Sequence, residues 1–324
     1  MSTPGTHQTE HRVDVAAPAR TVYDLVAGVE AWPRVFPPTV HVEHLEQSPS
    51  AERIRIWATA NGEVKTWTSR RELDAVGLRV RFRQEVSQPP VGGMGGEWII
   101  EELPGGSCRV RLLHDFHAVD DDPDHLAWIT RAVDRNSGSE LAALKAAAER
   151  AGTGGDDDRL ALTFEDTVPV AADPADVYSF IREGDRWAER IPHVARAALT
   201  ETTLDVQLLE MDTRTKDGSV HTTRSVRVCL PPHRIVYKQL QPPLLMSVHT
   251  GEWTFKRLAS GGLVTSRHTV VINPENVAKV LGAGATVADA RDFVRNALSA
   301  NSTATIRTAD EFAARHGRRV PTRG

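Results

Sequence analysis

The sequence has little cysteine, little excess charge and no long apolar run. Its two cysteines, Cys108 and Cys229, are too few for a disulfide framework or a thiolate metal cluster. Lys and Arg total 39 against 43 Asp and Glu, so the charge gives no general reason to bind nucleic acid or anionic lipid. No segment approaches the roughly 18 apolar residues of a membrane span, and the N-terminal residues are polar. We therefore expect a cytoplasmic protein with no nucleic-acid or membrane partner.

What the sequence does contain is an internal repeat. The chain has 324 residues, 40% of them hydrophobic, which suits about two globular domains. Residues 13–17 recur as 168–172 and Trp32 recurs as Trp187, in each case 155 positions later. The Gly-Glu-Trp motif at 96–98 recurs at the same offset. A repeat of this length predicts two homologous domains.

The domain boundaries follow from where the repeat begins and ends. The pair Asn136-Ser137 recurs 165 positions later, which implies an insertion of ten residues in the second copy. Residues 152–159 are rich in glycine and aspartate, a composition typical of a flexible, solvated linker. We expect one domain at 8–151, a second at 160–316, and a basic tail at 317–324.

Both copies show the same pattern of secondary structure. Each begins with a short alternating strand and a helical segment and continues with four to six β segments, such as the alternating residues 78–86 and 108–116. Each ends in a long amphipathic helix, whose apolar stripe from Leu126 to Leu144 is interrupted by Asn136-Ser137. This order predicts an α+β fold, in which a curved antiparallel sheet wraps around a long C-terminal helix and leaves an interior cavity.

The sequence carries no specific cofactor or metal signature. The glycine-rich residues 92–96 lack the GxGxxG spacing and precede a strand-like segment, so we expect a flexible loop at a cavity mouth rather than a phosphate cradle. His114 and His117 are followed by aspartates at 120–122, but strand alternation puts the two histidines on opposite faces. We expect no cofactor and no metal ion.

Polar residues on inward-facing strand positions are more informative. In the segment 67–73, Trp67, Ser69 and Arg71 share one face. One interpretation is an edge strand whose arginines are solvated. The other is a buried arginine, always charged and rich in donors, that holds carbonyl or enolate oxygens in an apolar pocket. The pattern alone leaves both interpretations open.

His114 and a set of large apolar residues leave a similar choice. His114 shares a face with Leu112 and Phe116, so it is either a hydrogen-bonded core residue or a general acid or base. The apolar residues either fill the core or line the cavity; they are Trp32, Phe36, Met94 and Trp98.

Three segments of the first domain resemble a known family. They are 30–37 (EAWPRVFP), 61–71 (NGEVKTWTSRR) and 96–98 (GEW). Together they resemble the aromatase/cyclases of bacterial type II (aromatic) polyketide synthases, which have the START-like helix-grip fold of the SRPBCC (Bet v 1-like) family. The repeated second domain resembles the didomain subclass of these enzymes.

The resemblance implies a cofactor-independent enzyme of antibiotic-type biosynthesis. Its substrate would be a poly-β-ketone chain bound to acyl carrier protein, and its partners would be type II polyketide synthase components, with a ketoreductase as a further candidate. The implied reaction is a regiospecific first-ring aldol cyclization of the C7–C12 type, a dehydration and aromatization, or both. Such chemistry needs a folded chain, a base and a donor for the developing oxyanion.

The resemblance also implies roles for individual residues. Arg71 would polarise a substrate carbonyl and stabilise the enolate or alkoxide. Ser69 would orient that oxygen or relay a proton, and His114 would act as general acid or base. The residues that would shape the cavity and bind the chain are Trp32, Phe36, Trp67, Met94, Trp98 and Asn136.

The second copy departs from the first at several of these positions. Arg227 and Ser225 match Arg71 and Ser69 and are further catalytic candidates, with Trp187, Trp253 and His268 as binding residues. Thr223 stands where the first copy has Trp67, and an offset of 155 places Thr269 at the position of His114, so that His268 is adjacent rather than equivalent. We expect the first domain to close the ring and the second to assist dehydration or to serve as structural support.

Two other functions fit the same fold, because a fold does not determine an activity. The cavity could carry a hydrophobic ligand or lipid without reaction, with Arg71 anchoring its polar end. The protein could also be a non-catalytic scaffold that steers a polyketide within its synthase complex.

Overall fold

The computed structural model of the protein describes residues 5–152, 159–214, 218 and 220–316. The chain divides into two compact units, Met1–Asp157 and Asp158–Gly324. Most of the predicted linker (153–158) and the whole basic tail (317–324) lie outside the described residues.

The first unit is one antiparallel sheet with a long helix. Its elements are β1 (His7–Val15), α1 (Ala19–Ala27), α2 (Trp32–Val35), β2 (Thr39–Gln47), β3 (Ala51–Ala60), β4 (Glu63–Asp74), β5 (Arg79–Val86), β6 (Val91–Leu103), β7 (Ser107–Ala118) and α3 (Pro123–Gly152), with short 3-10 turns at Val29–Ala31 and Val119–Asp121. The strand order is β1-β7-β6-β5-β4-β3-β2. The first strand therefore pairs with the last, and the strands between them form a meander.

The second unit repeats this plan. Its elements are β8 (Ala161–Val170), α4 (Pro174–Arg182), α5 (Trp187–Arg190), β9 (Val194–Thr203), β10 (Val206–Arg214), β11 (Val220–Leu230), β12 (Arg234–Gln241), β13 (Met246–Arg257), β14 (Gly262–Ile272), α6 (Val277–Leu281) and α7 (Val287–His316), with 3-10 turns at Gly184–Arg186 and Pro274–Asn276. Fourteen residues separate β14 from α7, against four between β7 and α3. The predicted ten-residue insertion therefore lies here and contains α6. The α+β helix-grip prediction is confirmed for both units.

The long helix α3 packs against the sheet through two separate apolar clusters. Toward its N-terminus, Ile129 and Val133 pack with Phe116 of β7. Toward its C-terminus, Leu141 and Leu144 pack with the core beneath α1 and β6. Asn136 and Ser137, which interrupt the apolar stripe, lie between these clusters. The middle of the helix therefore faces a cavity rather than packed side chains.

The glycine-rich segment is part of a strand. Residues 92–96 lie inside β6, so the expectation of a flexible loop there is wrong. Close packing explains the composition, since a Cβ at Gly93 would lie 2.5 Å from Cε1 of His117 and one at Gly96 would overlap the carbonyl oxygen of Leu113. These positions need glycine because neighbouring atoms occupy the side-chain space.

Candidate active site

Two adjoining cavities lie between the sheet and α3 of the first unit. Their volumes are about 140 and 100 Å³, and both are lined by Trp32, Trp67, Met94, His114 and Glu140, among others. Each first-domain residue that the sequence proposed for the site lines at least one of them; the remaining members are Phe36, Ser69, Arg71, Trp98 and Asn136. Strand alternation accounts for the members on β4, β6 and β7, whereas Trp32, Phe36 and Asn136 reach the cavities from α2, the residue after it, and α3.

Arg71 is buried and held by a carboxylate. It is 1% exposed, and β4 lies between β3 and β5, so the interpretation of a solvated arginine on an edge strand is wrong. Its Nη1 lies 2.5 Å from Oε1 of Glu52, its cross-strand neighbour on β3. The guanidinium also donates to the carbonyl oxygens of Val26 at 2.6 Å and Ala27 at 3.3 Å.

These contacts orient Arg71 without using all of its donors. The guanidinium has five N–H groups. It donates three hydrogen bonds to acceptors in the described part of the chain. Its carbon lies 4.7 Å from the ring centroid of Trp32, a cation–π contact. Burial lowers the pKa of Arg71 and the charge of Glu52 raises it, and arginine remains charged in proteins.

His114 is a neutral, unpartnered base in the cavity. It lies on β7, and its Nδ1 has no hydrogen-bond partner in the described part of the chain. The ring meets the edge of Phe82 at a centroid distance of 5.5 Å. Burial lowers the pKa of His114 to about 4, so the imidazole is neutral near pH 7.

Glu140 is a site residue that the sequence reasoning missed. It lies on α3 and lines both cavities. Burial raises the pKa of its carboxyl to about 8, so that it is protonated near pH 7. The sequence could have indicated it by position, because Glu140 lies one helical turn beyond Asn136 on the same face of the helix. A neutral base and a protonated acid in one cavity form a pair whose pKa values are moved in opposite directions, as in known acid–base catalysts.

Two further cavity residues are fixed by backbone contacts. Asn136 Nδ2 donates to the carbonyl oxygen of Thr59 at 3.0 Å, and Trp32 Nε1 donates to that of Val26 at 3.2 Å. Their positions in the cavity wall are therefore set by the protein itself.

The second unit has its own cavity, of about 130 Å³. The residues proposed from the sequence all line it; they are Trp187, Ser225, Arg227, Trp253 and His268. The sequence reasoning missed the other lining residues, among them Tyr237, His249 and Ser302. The repeat could have identified two of them, since Tyr237 and His249 stand 155 positions after Phe82 and Met94.

The equivalence predicted for His114 is wrong. On β6 and β7, His114 pairs with Gly96, and on β13 and β14 His268 pairs with Gly251, the repeat of Gly96. His268 is therefore the structural equivalent of His114. Thr269 instead lies on the exposed face, where its hydroxyl oxygen is 3.0 Å from that of Thr163.

A shorter turn causes the shift in register. Four residues lie between the paired Arg257 and Gly262, whereas five lie between the paired Glu102 and Cys108. A gapless offset of 155 therefore misplaces β14 by one residue. Because side chains alternate between faces, that one residue exchanges the cavity face for the solvent face.

Within the described residues, no group of three or more His, Cys, Asp or Glu side chains is arranged to hold a metal ion. Cys108 and Cys229 are buried free thiols. Among the described helices, none combines the length and the apolar character needed to cross a membrane.

Comparison with known proteins identifies the family. Residues 15–135 and 170–294 match the family described as polyketide cyclase / dehydrase and lipid transport. The chain belongs to this family. Each of the two matched stretches falls in one of the two repeats, so the polyketide cyclase / dehydrase domain is present twice.

Relatives of the polyketide cyclase / dehydrase family match over nearly the whole chain. The sequence is 51% identical over 319 residues to the actinorhodin polyketide synthase bifunctional cyclase/dehydratase of Streptomyces coelicolor, covering 95% of this chain and 98% of that one. It is 48% identical over 316 residues to the granaticin polyketide synthase bifunctional cyclase/dehydratase of Streptomyces violaceoruber, covering 97% of each.

A solved structure of the same architecture also matches. The di-domain ARO/CYC BexL from the BE-7585A biosynthetic pathway is 55% identical, with a TM-score of 0.82, covering 97% of this chain and 100% of that one. The predicted resemblance to didomain aromatase/cyclases is confirmed.

Proposed function

We propose that this protein is a polyketide aromatase/cyclase that closes and dehydrates the first ring of a poly-β-ketone. The observation that carries the proposal is that Arg71, His114 and Glu140 all line the smaller of the two first-domain cavities, whose surface is largely apolar. The cyclase/dehydratase names of relatives at about half identity support it.

In the proposed reaction, Arg71 donates hydrogen bonds to a ketone oxygen and His114 removes a proton from the methylene between two ketones. The resulting enolate carbon forms a bond to a second carbonyl carbon, whose oxygen becomes an alkoxide. Glu140 gives its proton to that alkoxide, and the imidazolium returns a proton to the Glu140 carboxylate. The positive charge of Arg71 stabilises negative charge as it develops, a contribution often worth a few kcal/mol.

Dehydration uses the same groups. His114 removes a second proton from the carbon beside the new alcohol, and Glu140 protonates the hydroxyl as it leaves as water. The carbon–carbon double bond that forms leads to the aromatic ring. Ser69, buried beside Arg71 in the smaller cavity, orients the substrate oxygen.

The aromatic side chains of the cavity hold the substrate. Trp32, Phe36, Trp67 and Trp98 present flat apolar surfaces that confine the chain to one folded conformation. Confinement of two reacting carbons supplies much of the rate increase in an intramolecular condensation. We propose that the chain arrives on an acyl carrier protein from a type II polyketide synthase, that a ketoreductase acts on it where one is present, and that the ring closes between C7 and C12.

The test uses a reconstituted minimal polyketide synthase, with and without a ketoreductase. Wild-type protein should convert shunt products into one product with an aromatic first ring, identified by mass spectrometry and NMR. Glu140→Gln should lose this conversion, since glutamine keeps the shape of the side chain but cannot supply the proton. If products are the same with and without wild-type protein, the cyclase proposal is wrong for these substrates and ligand carriage takes its place.

A further inference from the structure

The second-domain cavity contains a buried arginine without an acidic partner in the described part of the chain. Arg227 is 3% exposed and lines the cavity. Its Nη2 donates to the carbonyl oxygen of Ile181 at 2.5 Å, but its Nη1 has no hydrogen-bond partner among the described residues. A buried cation with an unused donor is costly for a protein to retain.

The cause is a single difference between the repeats. Gln207 on β10 lies opposite Arg227, at the place where Glu52 lies opposite Arg71. The amide of Gln207 is turned elsewhere, since its Nε2 donates to Glu201 Oε2 at 3.0 Å. The charge that Glu52 neutralises in the first domain is therefore left uncompensated in the second.

The wall of the second cavity is also more polar than that of the first. By strand register, Phe82, Met94 and Leu112 are replaced by Tyr237, His249 and Ser266. Each replacement exchanges an apolar side chain for one that makes hydrogen bonds.

These side chains form one hydrogen-bonded network around His268. Its Nδ1 lies 2.9 Å from Tyr237 Oη and 3.1 Å from His249 Nε2, and its Nε2 lies 2.8 Å from Ser302 Oγ. Burial lowers the pKa of His268 to about 4 and that of His249 to about 3, so both rings are neutral near pH 7. The positive charge in this part of the cavity wall then belongs to Arg227.

We propose that the second domain is a separate binding site, in which Arg227 holds the anionic oxygen of an enolised 1,3-dicarbonyl or phenol on a single ring. The volume of about 130 Å³ suits one six-membered ring, since an engineered cavity of about 150 Å³ binds benzene. Trp187 and Trp253 supply apolar walls for the ring, and the guanidinium carbon of Arg227 lies 5.1 Å from the Trp187 ring centroid.

The inference rests on the proposed function for its choice of ligand class, because a newly closed polyketide ring is an enolic 1,3-dicarbonyl. The anionic form is the one that Arg227 selects. An anion supplies the missing counter-charge, whereas a neutral ketone leaves the cation uncompensated.

The test is a calorimetric titration of the full chain with cyclohexane-1,3-dione, which is an enolate at neutral pH. Wild-type protein should bind one equivalent, and Arg227→Gln should weaken binding at least 10-fold. The matched control is Arg224→Gln, an exposed position on the same strand, which should bind as wild type does. Cyclohexanone, the neutral analogue, should bind at least 10-fold more weakly than the dione.

A second variant tests the same inference while keeping the arginine. Gln207→Glu should give Arg227 the partner that Arg71 has and should also weaken enolate binding at least 10-fold. Absence of wild-type binding, equal binding by cyclohexanone, or unchanged binding by Arg227→Gln would each overturn the inference. Binding is measured without turnover, so these outcomes would leave the first-domain cyclase proposal intact. Conversely, a protein that binds the dione but closes no ring would support this binding site and contradict the cyclase proposal.

Discussion

Glu52 and Arg71 face each other on neighbouring strands and form a buried ion pair, with Oε1 and Nη1 2.5 Å apart and each side chain 2% exposed. A buried charge that loses its partner costs about 3 to 5 kcal/mol. We therefore expect Glu52→Gln to lower the free energy of unfolding by about 3 kcal/mol, measured by urea denaturation. Glu46→Gln breaks the exposed pair with Arg53 and should change it by at most about 1 kcal/mol. Equal effects of the two variants would contradict the role of the buried pair.

Arg227 should respond to substitution in the opposite way. Arg227→Gln removes a buried cation that has no acidic partner in the described part of the chain, so the second domain should unfold at the same temperature or a higher one. Arg71→Gln leaves the Glu52 carboxylate buried, with the His44 imidazole at 2.9 Å as its remaining partner, and should lower the stability of the first domain by about 3 kcal/mol. Hydrogen exchange resolves the two domains in one experiment. A large loss of stability in Arg227→Gln would show that its contacts matter more than its unpaired charge.

Glu140 should give the protein a basic limit to its activity. As pH rises through about 8, the carboxyl ionises and can no longer donate a proton, so cyclization and dehydration should decline. Glu140→Gln should reduce the rate at pH 7 by at least about 100-fold, the lower range for a general acid or base, and should abolish this decline. A rate measured from pH 6 to 9 in both proteins is the test. A variant with wild-type activity would remove Glu140 from the mechanism.

The same group links pH to stability. The pKa of the Glu140 carboxyl is 4.5 in an exposed glutamate and about 8 in the folded protein. Between these pH values the unfolded chain releases a proton that the folded chain retains. Stability should therefore fall as pH rises through this window. In Glu140→Gln the fall should be smaller, and equal pH dependence in the two proteins would contradict the raised pKa.

His114 and His268, one in each domain, should make the protein sensitive to acid. Burial lowers the pKa of both His114 and His268 from 6.5 to about 4, with His11 lowering and Asp115 raising that of His114. Between these values the unfolded chain takes up protons that the folded chain does not, so the contribution of these two histidines to stability is fully present above about pH 6.5 and is lost as pH approaches 4, opposite in sign to that of Glu140. NMR titration of the imidazole resonances should give midpoints near 4, and midpoints near 6.5 would contradict the burial of these rings.

Two glycines should respond oppositely to alanine. A Cβ at Gly96 would overlap the Leu113 carbonyl oxygen and lie 2.7 Å from the Phe82 ring, so Gly96→Ala should destabilise the first domain by about 3 kcal/mol, as overpacking does. Gly138 lies inside α3 with no atom within 4 Å of such a Cβ. There alanine should stabilise by about 0.5 to 1 kcal/mol, because glycine loses more conformational freedom in a helix. Thermal unfolding of both variants measures the contrast, and a neutral Gly96→Ala would contradict the close packing of β6 on β7.

The sequence predicted the face on which Arg71 lies but not its environment. Alternation is a local property, and it placed Trp67, Ser69 and Arg71 together. Whether β4 is an edge strand depends on which strands flank it, whether that face is buried depends on what packs over the sheet, and the partner that compensates the charge, Glu52, lies on another strand. Pairing between strands is a non-local property that a single sequence does not display.

The misassigned histidine had a different cause. The repeat was aligned without gaps, and the turn between β13 and β14 is one residue shorter than its counterpart. An error of one position is harmless in a helix prediction but exchanges the two faces of a strand. Glu140 was missed because a polar residue on a long helix is ordinarily solvated, and only the gap between two packing clusters makes its position internal.

Each long helix packs against its sheet near its two ends, so the residues that stabilise the fold are separate from the central residues that line the cavity. In α3 the anchors lie at the two ends, and in α7 the same division separates Val294 from Ile306. Residues between the anchors can be exchanged without disturbing either contact with the sheet. The two repeats share one scaffold and differ at its central positions, where Thr305 stands at the place of Glu140, so that a single chain carries two pockets with different linings.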